Sequence, residues 1–398
     1  MSKVLYISYD GILEPLGHSQ VWSYLTKLSD ENSFVLLSFE KKSDELNKSK
    51  FIEMKKECQK YGVNWIPLRY HKSPTSIATT YDILSGLLVA FFYTLRYKIE
   101  IVHTRSYVPA LIGLLIKLFL NRKFIFDMRG LWADEKVDSK VWSREGLLYK
   151  ITKKLEKHFL LNADVVVSLT QSAVDEIKRF NYLQHKKTNF EVITTCADLE
   201  VFSINQEDSQ TISPFTLGYV GSIGLWYAFK EALLCFKLLQ NQIQDSRLVI
   251  VNKGQHQQIQ DFIEASEIDP SSVDIFSTDH YGVAKAMNSM NAGVFFINPF
   301  YSKVASAPTK LGEFLGCGVP CLSNDGIGDM TRVLETNKVG VSIKDFHENS
   351  LQEGVIRLIK LSKEENIQMK CRKIALEYFS LEKGVNNFKR IYKSLENA

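Results

Sequence analysis

Along the first half of the chain, short apolar runs alternate with longer stretches in which apolar positions recur every three or four residues. The runs are VLYIS (4–8), FVLLSF (34–39), IEIVH (99–103), KFIFD (123–127) and DVVVSL (164–169). Such runs, bounded by polar turns, predict buried strands, and the periodic stretches between them predict helices. Strands alternating with helices imply βαβ units on a parallel sheet, so this half reads as a doubly wound α/β domain. The rhythm restarts at FTLGYVG (215–221) and continues through RLVIVN (247–252), VDIFST (273–278), AGVFFI (292–297) and VPCLSN (319–324), which predicts a second α/β domain. Between the two, SINQEDSQTISP (203–214) is polar and reads as a linker, which sets the expected domains at 1–205 and 206–380. In the remainder, 381–398, Leu381, Val385, Phe388, Ile391, Tyr392 and Leu395 are spaced by threes and fours, as in an amphipathic helix.

The 398 residues suffice for two cores, and 45% hydrophobic with 24% charged residues is a globular composition without long disorder. A net charge of +4 spread along the chain is not the strongly basic domain of a nucleic-acid binder, so no nucleic-acid partner is expected. Of the six cysteines only Cys317 and Cys321 are close, without paired CxxC spacing or nearby histidines. They read as reduced, buried thiols, and no metal site is expected. The opening MSKVLYISYDG lacks the basic and apolar regions of a signal peptide, so a cytoplasmic location is expected. Two apolar stretches, 83–95 and 108–120, are each shorter than the ~20 residues that cross a bilayer as a helix.

Ligands of open parallel sheets bind at the carboxyl ends of the strands, which directs attention to four loops. In SYDGILEPLGHSQV (8–21), Gly11 and Gly17 let the backbone approach an anion, or simply form a turn. In DMRGLWADEKVD (127–138), Asp127, Arg129 and Glu135 are placed to act on a hydroxyl or phosphate, or to form a surface ion-pair loop. GYVGSIGLWYAF (218–229) offers Gly218, Gly221 and Gly224 at a strand-to-helix turn, suited to a diphosphate or to close packing. The most informative is KVASAPTKLGEFLGCGVPCLSNDGIGD (303–329). Ser306 near the cap and Pro308 in the first turn start a short helix, with Lys310 and Glu313 three apart on it. Its N-terminus, flanked by Lys303 and Lys310, suits a leaving diphosphate, and a carboxylate one turn in suits a ribose diol.

These four motifs, in this order and with the two-domain pattern, resemble glycosyltransferase family 4, from residue 4 to the final helix. The nearest likeness is to a branch associated with cell-surface polysaccharide assembly. The resemblance implies the GT-B fold: two Rossmann-like domains facing across a cleft, with the last helix crossing back to the first domain. It also implies transfer of a sugar, with retention of configuration, from a nucleotide-diphosphate sugar such as a UDP-sugar, without a metal or cofactor. The acceptor is then a glycan, expected on a lipid carrier at the inner membrane face. The apolar stretches 83–95 and 108–120, near Lys98, Lys117, Arg122 and Lys123, are candidates for peripheral membrane contact, with ordinary sheet-covering helices as the alternative.

Carried onto this chain, Glu313 matches the glutamate that binds the donor ribose, and Gly17 lies in the loop that faces the donor phosphates. Gly221, Ser222, Lys253, Pro308, Thr309 and Lys310 complete the expected donor side. Asp127 stands where many members have a histidine near the transferred sugar. With Arg129 and Lys303 it forms the expected catalytic set. Ala305 replaces the first of the family's paired glutamates, and Ser222 with the following Trp226 and Tyr227 replaces its usual Arg and Lys. The cationic support for the diphosphate is therefore assigned to Lys303, Lys310 and Lys253. His18, His103, Arg105, Trp132 and Glu135 are placed on the acceptor side. A sugar-nucleotide epimerase of the same fold and a non-catalytic assembly subunit are the alternative functions.

Overall fold

The computed structural model describes residues 1–398 apart from 72, 74, 206–212, 397 and 398. The middle of the expected linker and the last residues of the expected terminal helix therefore lie outside the described residues. The chain divides into two units, Met1–Thr194 with Glu382–Ala398, and Thr195–Leu381. Residues just after Thr194 pack into the second unit ahead of the polar linker. The Ala197 N–H donates to the Phe379 carbonyl at 3.0 Å. Arg372 donates to the carbonyls of Leu199 and Phe202 at 2.8 and 2.6 Å.

The first unit is built on a sheet of seven parallel strands: β1 (Lys3–Ser8), β2 (Ser33–Glu40), β3 (Asn64–Arg69), β4 (Ile101–Arg105), β5 (Lys123–Asp127), β6 (Val165–Ser168) and β7 (Phe190–Val192). Their order is β3-β2-β1-β4-β5-β6-β7, which reverses direction between β1 and β4. The inner strands are almost wholly buried, as their unbroken apolar runs predict. The expected strand at 99–103 lies two residues later, since the Ile99 N–H bonds to the end of the preceding helix, at Thr94.

The stretch expected to be apolar only over 83–95 is part of one helix, Thr75–Arg96, because the threonine-rich segment ahead of it continues the helix. By length and composition its residues Ile77–Arg96 are sufficient to cross a bilayer, and most of that span is exposed; the second stretch, Tyr107–Leu120, is too short.

The helix Leu381–Glu396 returns to the first unit. Val385, Phe388, Ile391, Tyr392 and Leu395 are buried there, the face that the spacing of apolar residues predicts. Phe388 meets the rings of Tyr24 and His103, Tyr392 meets Phe34, and Lys389 and Arg390 pair with Glu31 and Glu191 at 2.6 and 2.8 Å.

The second unit repeats the design with β8 (Thr216–Val220), β9 (Arg247–Val251), β10 (Val273–Phe276), β11 (Ala292–Val294), β12 (Cys321–Asn324) and β13 (Gly340–Ile343), in the order β10-β9-β8-β11-β12-β13. Its two core clusters follow from the two-residue period of a strand. Leu217, Tyr219, Leu248, Ile250 and Leu322 pack in one, and Val220, Val251 and Cys321 in the other. Both sheet faces are thus covered, and the strand order reverses between β8 and β11, the kind of switch point at which open parallel sheets bind ligands.

Candidate functional site

In the second unit, the loop after β8 and the helix Thr309–Gly316 meet around one side chain. Pro308, and not Ser306, occupies the N-cap, with backbone φ −66° and ψ 121°, and no side chain caps the helix. Ser306 instead ends the preceding 3₁₀ turn Tyr301–Ala305, which moves the helix start two residues later than the cap preference of serine suggests. The first N–H groups of the helix thus keep their affinity for an anion.

Lys310 follows in the first turn. Its ammonium has no hydrogen-bond partner and is enclosed by three rings, with centroids at 4.1 Å (Tyr227), 5.4 Å (Phe295) and 5.6 Å (Tyr219). Burial pushes the Lys310 pKa down to about 8 against the pull of Glu313. Burial likewise pushes Glu313 up to about 7, with Lys310 opposing it. Gly221, at φ +121°, is the residue that permits this arrangement, because a Cβ there would lie 2.9 Å from the Lys310 Nζ.

The Gly221 turn is fixed from beneath. The Tyr219 hydroxyl donates to the Ser222 carbonyl at 2.7 Å, Asn252 donates to the Gly221 carbonyl at 2.9 Å, and Gln255 accepts from the Ile223 N–H at 3.0 Å and donates to its carbonyl at 2.6 Å. The sequence pattern did not single out Asn252, Gln255 or Tyr219, and Tyr227 stood out only as part of the tract that replaces the family's Arg and Lys; the signal for Asn252 and Gln255 was their place just after the end of β9. Lys303 is buried with its Nζ 3.8 Å from the ring centre of Trp226, which in turn packs on Phe300. Lys253 is exposed at the end of β9, and Ala305, in the place of the family's first glutamate, is buried.

In the first unit, the carboxyl ends of β4 and β5 bring together His103, Arg105, Asp127 and Arg129. Asp127 is buried at the centre, with Arg105 Nη1 3.8 Å and His103 Nε2 3.9 Å from Oδ2, and Arg129 Nη1 3.9 Å from Oδ1. Asp127 Oδ1, His103 Nε2 and Arg105 Nε are buried without a hydrogen bond. Burial works to raise the Asp127 pKa, but Arg129, His103 and Arg105 outweigh it and hold the carboxyl below its ordinary range. Arg129 adopts the left-handed conformation, φ +60°, which is uncommon outside glycine and often found at functional positions.

The loop after β1 approaches this group through two side chains: Asp10 lies 3.5 Å from Arg105 Nε, and Gln20 accepts from Arg129 at 3.5 Å. Gly17 is buried in the same loop, and a Cβ on it would lie 1.9 Å from the Gly11 carbonyl oxygen, so close backbone packing requires glycine there. The buried Glu40 pins the loop by accepting from the N–H groups of Ile12 and Leu13 at 3.0 and 3.2 Å. His18 is exposed. Trp132 packs against Tyr107 and Trp142, and Glu135 is half-buried in the helix Trp132–Asp138. Among the described residues no group of three or more His, Cys, Asp or Glu is placed to hold a metal ion.

Two doubly wound units, each with its candidate residues at the carboxyl ends of the strands, and a last helix returning to the first unit define the GT-B class of fold. Comparison with known proteins agrees. Residues 55–201 match the model of Glycosyltransferase Family 4, and 204–376 that of Glycosyl transferases group 1. No curated protein matches significantly. Similar solved structures include the sucrose-phosphate synthase of Thermosynechococcus elongatus (TM-score 0.71, 13% identity, all of both chains). A glycosyltransferase from Rickettsia africae (0.68, 15%, 99% of this chain and 98% of the other) is another. HepE of Anabaena in complex with UDP (0.66, 13%, 98% and 100%) is a third. The chain belongs to the GT-B superfamily of glycosyltransferases.

Proposed function

We propose that this chain is a retaining family 4 enzyme that transfers a hexosyl group from a nucleotide-diphosphate sugar, such as a UDP-sugar, to a lipid-linked glycan in surface polysaccharide assembly. The observation that carries the donor reading is the Lys310 ammonium, buried without a hydrogen bond at an uncapped helix start, one turn before Glu313. A leaving diphosphate supplies the hydrogen-bond acceptor that the Lys310 ammonium lacks and a charge partner for it, and Lys303 adds to the same electrostatic support. Glu313 accepts the ribose hydroxyls, and Thr309 and Ser222 offer backbone contacts, while Gly221, whose N–H is already donated to the Val251 carbonyl at 3.0 Å, serves by shaping the turn.

Asp127 and Arg129 meet the transferred sugar, while His103 and Arg105 back them on the acceptor side. In a retaining transfer the leaving phosphate oxygen takes the proton of the incoming hydroxyl on the same face of the sugar. The protein then contributes position and charge stabilisation. The UDP and UDP-glucose bound to HepE, and two further structures of similar fold, the lipopolysaccharide outer core galactosyltransferase WaaB and the lipopolysaccharide-biosynthesis glycosyltransferase WaaG, support the donor and acceptor classes.

Membrane contact is supported by the helix Thr75–Arg96. Ile77, Tyr81, Leu84, Leu88, Phe92 and Leu95, all more than half exposed, lie at spacings of three and four and form one apolar stripe. Leu118 and Phe119 are exposed on the neighbouring helix, and Arg96, Lys98, Arg122 and Lys123 lie near the ends of the two helices, a combination suited to an anionic bilayer surface. The deciding experiment for the donor is a thermal-shift panel of nucleotide sugars on the wild type and Glu313→Ala. A nucleotide sugar is expected to raise the wild-type Tm and to lose most of that effect in the variant. No stabilisation of the wild type by any of them, or an equal shift in both proteins, would overturn the assignment.

A further inference from the structure

We infer that Tyr392, on the terminal helix, is a positioning residue that fixes the tautomer of His103 so that its Nε2–H faces Asp127. The inference rests on the proposed role of Asp127 at the transferred sugar. The Tyr392 hydroxyl and His103 Nδ1 are 2.7 Å apart, and both residues are buried. Burial, with Tyr6 and Asp127 nearby, holds the Tyr392 phenol in its protonated form. A buried phenol proton needs an acceptor, and His103 Nδ1 is the one within reach.

Burial also pushes the His103 pKa down, against Asp127 and together with Arg105 and Arg129, so the ring is neutral. A neutral ring that accepts at Nδ1 carries its proton on Nε2. That nitrogen has no hydrogen bond and points across 3.9 Å to Asp127 Oδ2. The ring cannot easily turn away, because Tyr6 and Phe388 flank it at centroid distances of 4.4 and 5.0 Å. The opposite tautomer would set a nitrogen lone pair against the carboxylate. With the proton on Nε2, His103 supports Asp127 as a charged acceptor of a sugar hydroxyl, and the bond closes when the carboxylate shifts by about an ångström.

Tyr392→Phe keeps the ring and removes only the donor. Hydrolysis of the best-stabilising nucleotide sugar, with water as acceptor, is expected to fall roughly tenfold in kcat with KM unchanged. This is smaller than the roughly 10²–10⁴ carried by a group that itself moves a proton. The acid limb of its pH profile is expected to move to higher pH, because His103 loses the bond that favours its neutral form. In wild-type protein labelled with ¹⁵N-histidine, the resonance identified by its loss in His103→Gln should show protonated Nε2 and bare Nδ1. A wild-type ring protonated on Nδ1 would overturn the inference, and so would a folded Tyr392→Phe with unchanged kcat and pH profile. If Tyr392→Phe does not fold, the wild-type spectrum alone decides. Full activity in Asp127→Asn would instead sink the role given to Asp127 and leave the tautomer to be judged by the spectrum.

Discussion

The Lys310 ammonium lies 4.1 Å from the centre of the Tyr227 ring, with no hydrogen-bond acceptor in reach. Aromatic faces offset part of the cost of burying the charge, but far less than water or a carboxylate would. The site is therefore held at some expense to stability. Lys310→Met should raise the thermal stability of the ligand-free protein by about 1–3 kcal/mol, near 2–4 °C in Tm for each kcal/mol. The same variant should lose the shift produced by UDP. Differential scanning calorimetry with and without UDP reads both effects, and a drop in ligand-free Tm would contradict the account.

Nucleotide affinity should pass through a maximum between the two titrations at this site. Glu313, raised to about 7, must be ionised to accept two ribose hydroxyls, so binding strengthens as pH rises through 7. Lys310, lowered to about 8, must be protonated to meet the diphosphate, so binding weakens above 8, approaching about tenfold per pH unit. For the ligand-free fold the signs are opposite. The Lys310 penalty is fully present below 8 and relieved between there and its unfolded value, while the Glu313 penalty develops as pH rises from its unfolded value to 7. Calorimetric titration of UDP from pH 6 to 9.5 tests this. Lys310→Arg should flatten the alkaline limb, and an unaltered limb in that variant would assign it elsewhere.

Glu40 holds the loop that carries Gly17, although it lies 27 and 28 residues from the two N–H groups it accepts. Replacing it with alanine leaves those donors and the Ser38 hydroxyl, 2.6 Å away, without their acceptor. A loss of about 1–3 kcal/mol is expected. Turnover should fall further than stability explains, with the UDP-induced shift unchanged. Equal UDP shifts with wild-type turnover would show that the loop needs no such anchor.

Leu88 and Phe92 are 73% and 58% exposed at the middle of the apolar stripe, which makes them the most direct probes of membrane contact. Leu88→Glu with Phe92→Glu should abolish co-sedimentation with phosphatidylglycerol vesicles and leave the nucleotide shift intact. Wild-type protein that ignores vesicles but elutes as a dimer, made monomeric by the pair, would assign the stripe to a second copy of the chain.

The inner strands were legible because a continuous apolar run is what a doubly buried strand requires, and KFIFD coincides with β5 from Lys123 to Asp127. The strands that escaped notice lie at sheet edges: β3 is half-buried and contains Pro67, and β7 and β13 are only three and four residues long. The site divides in the same way. Lys310 and Glu313 belong to one local motif, so their spacing places them on one helix. Tyr227, Glu40 and Tyr392 act through contacts with residues remote in sequence, up to 289 positions for Tyr392 and His103, and no local pattern signals that.

The return of the terminal helix also bears on how the chain is made. Phe388, Ile391 and Tyr392 fill the first unit, yet a ribosome reaches them only after translating the whole second unit. The first unit to emerge is thus the one that must wait, with the rings of Tyr24, Phe34 and His103 uncovered, until the terminal helix follows the second unit. For that interval its surface offers a bare apolar strip to chaperones and to neighbouring nascent chains.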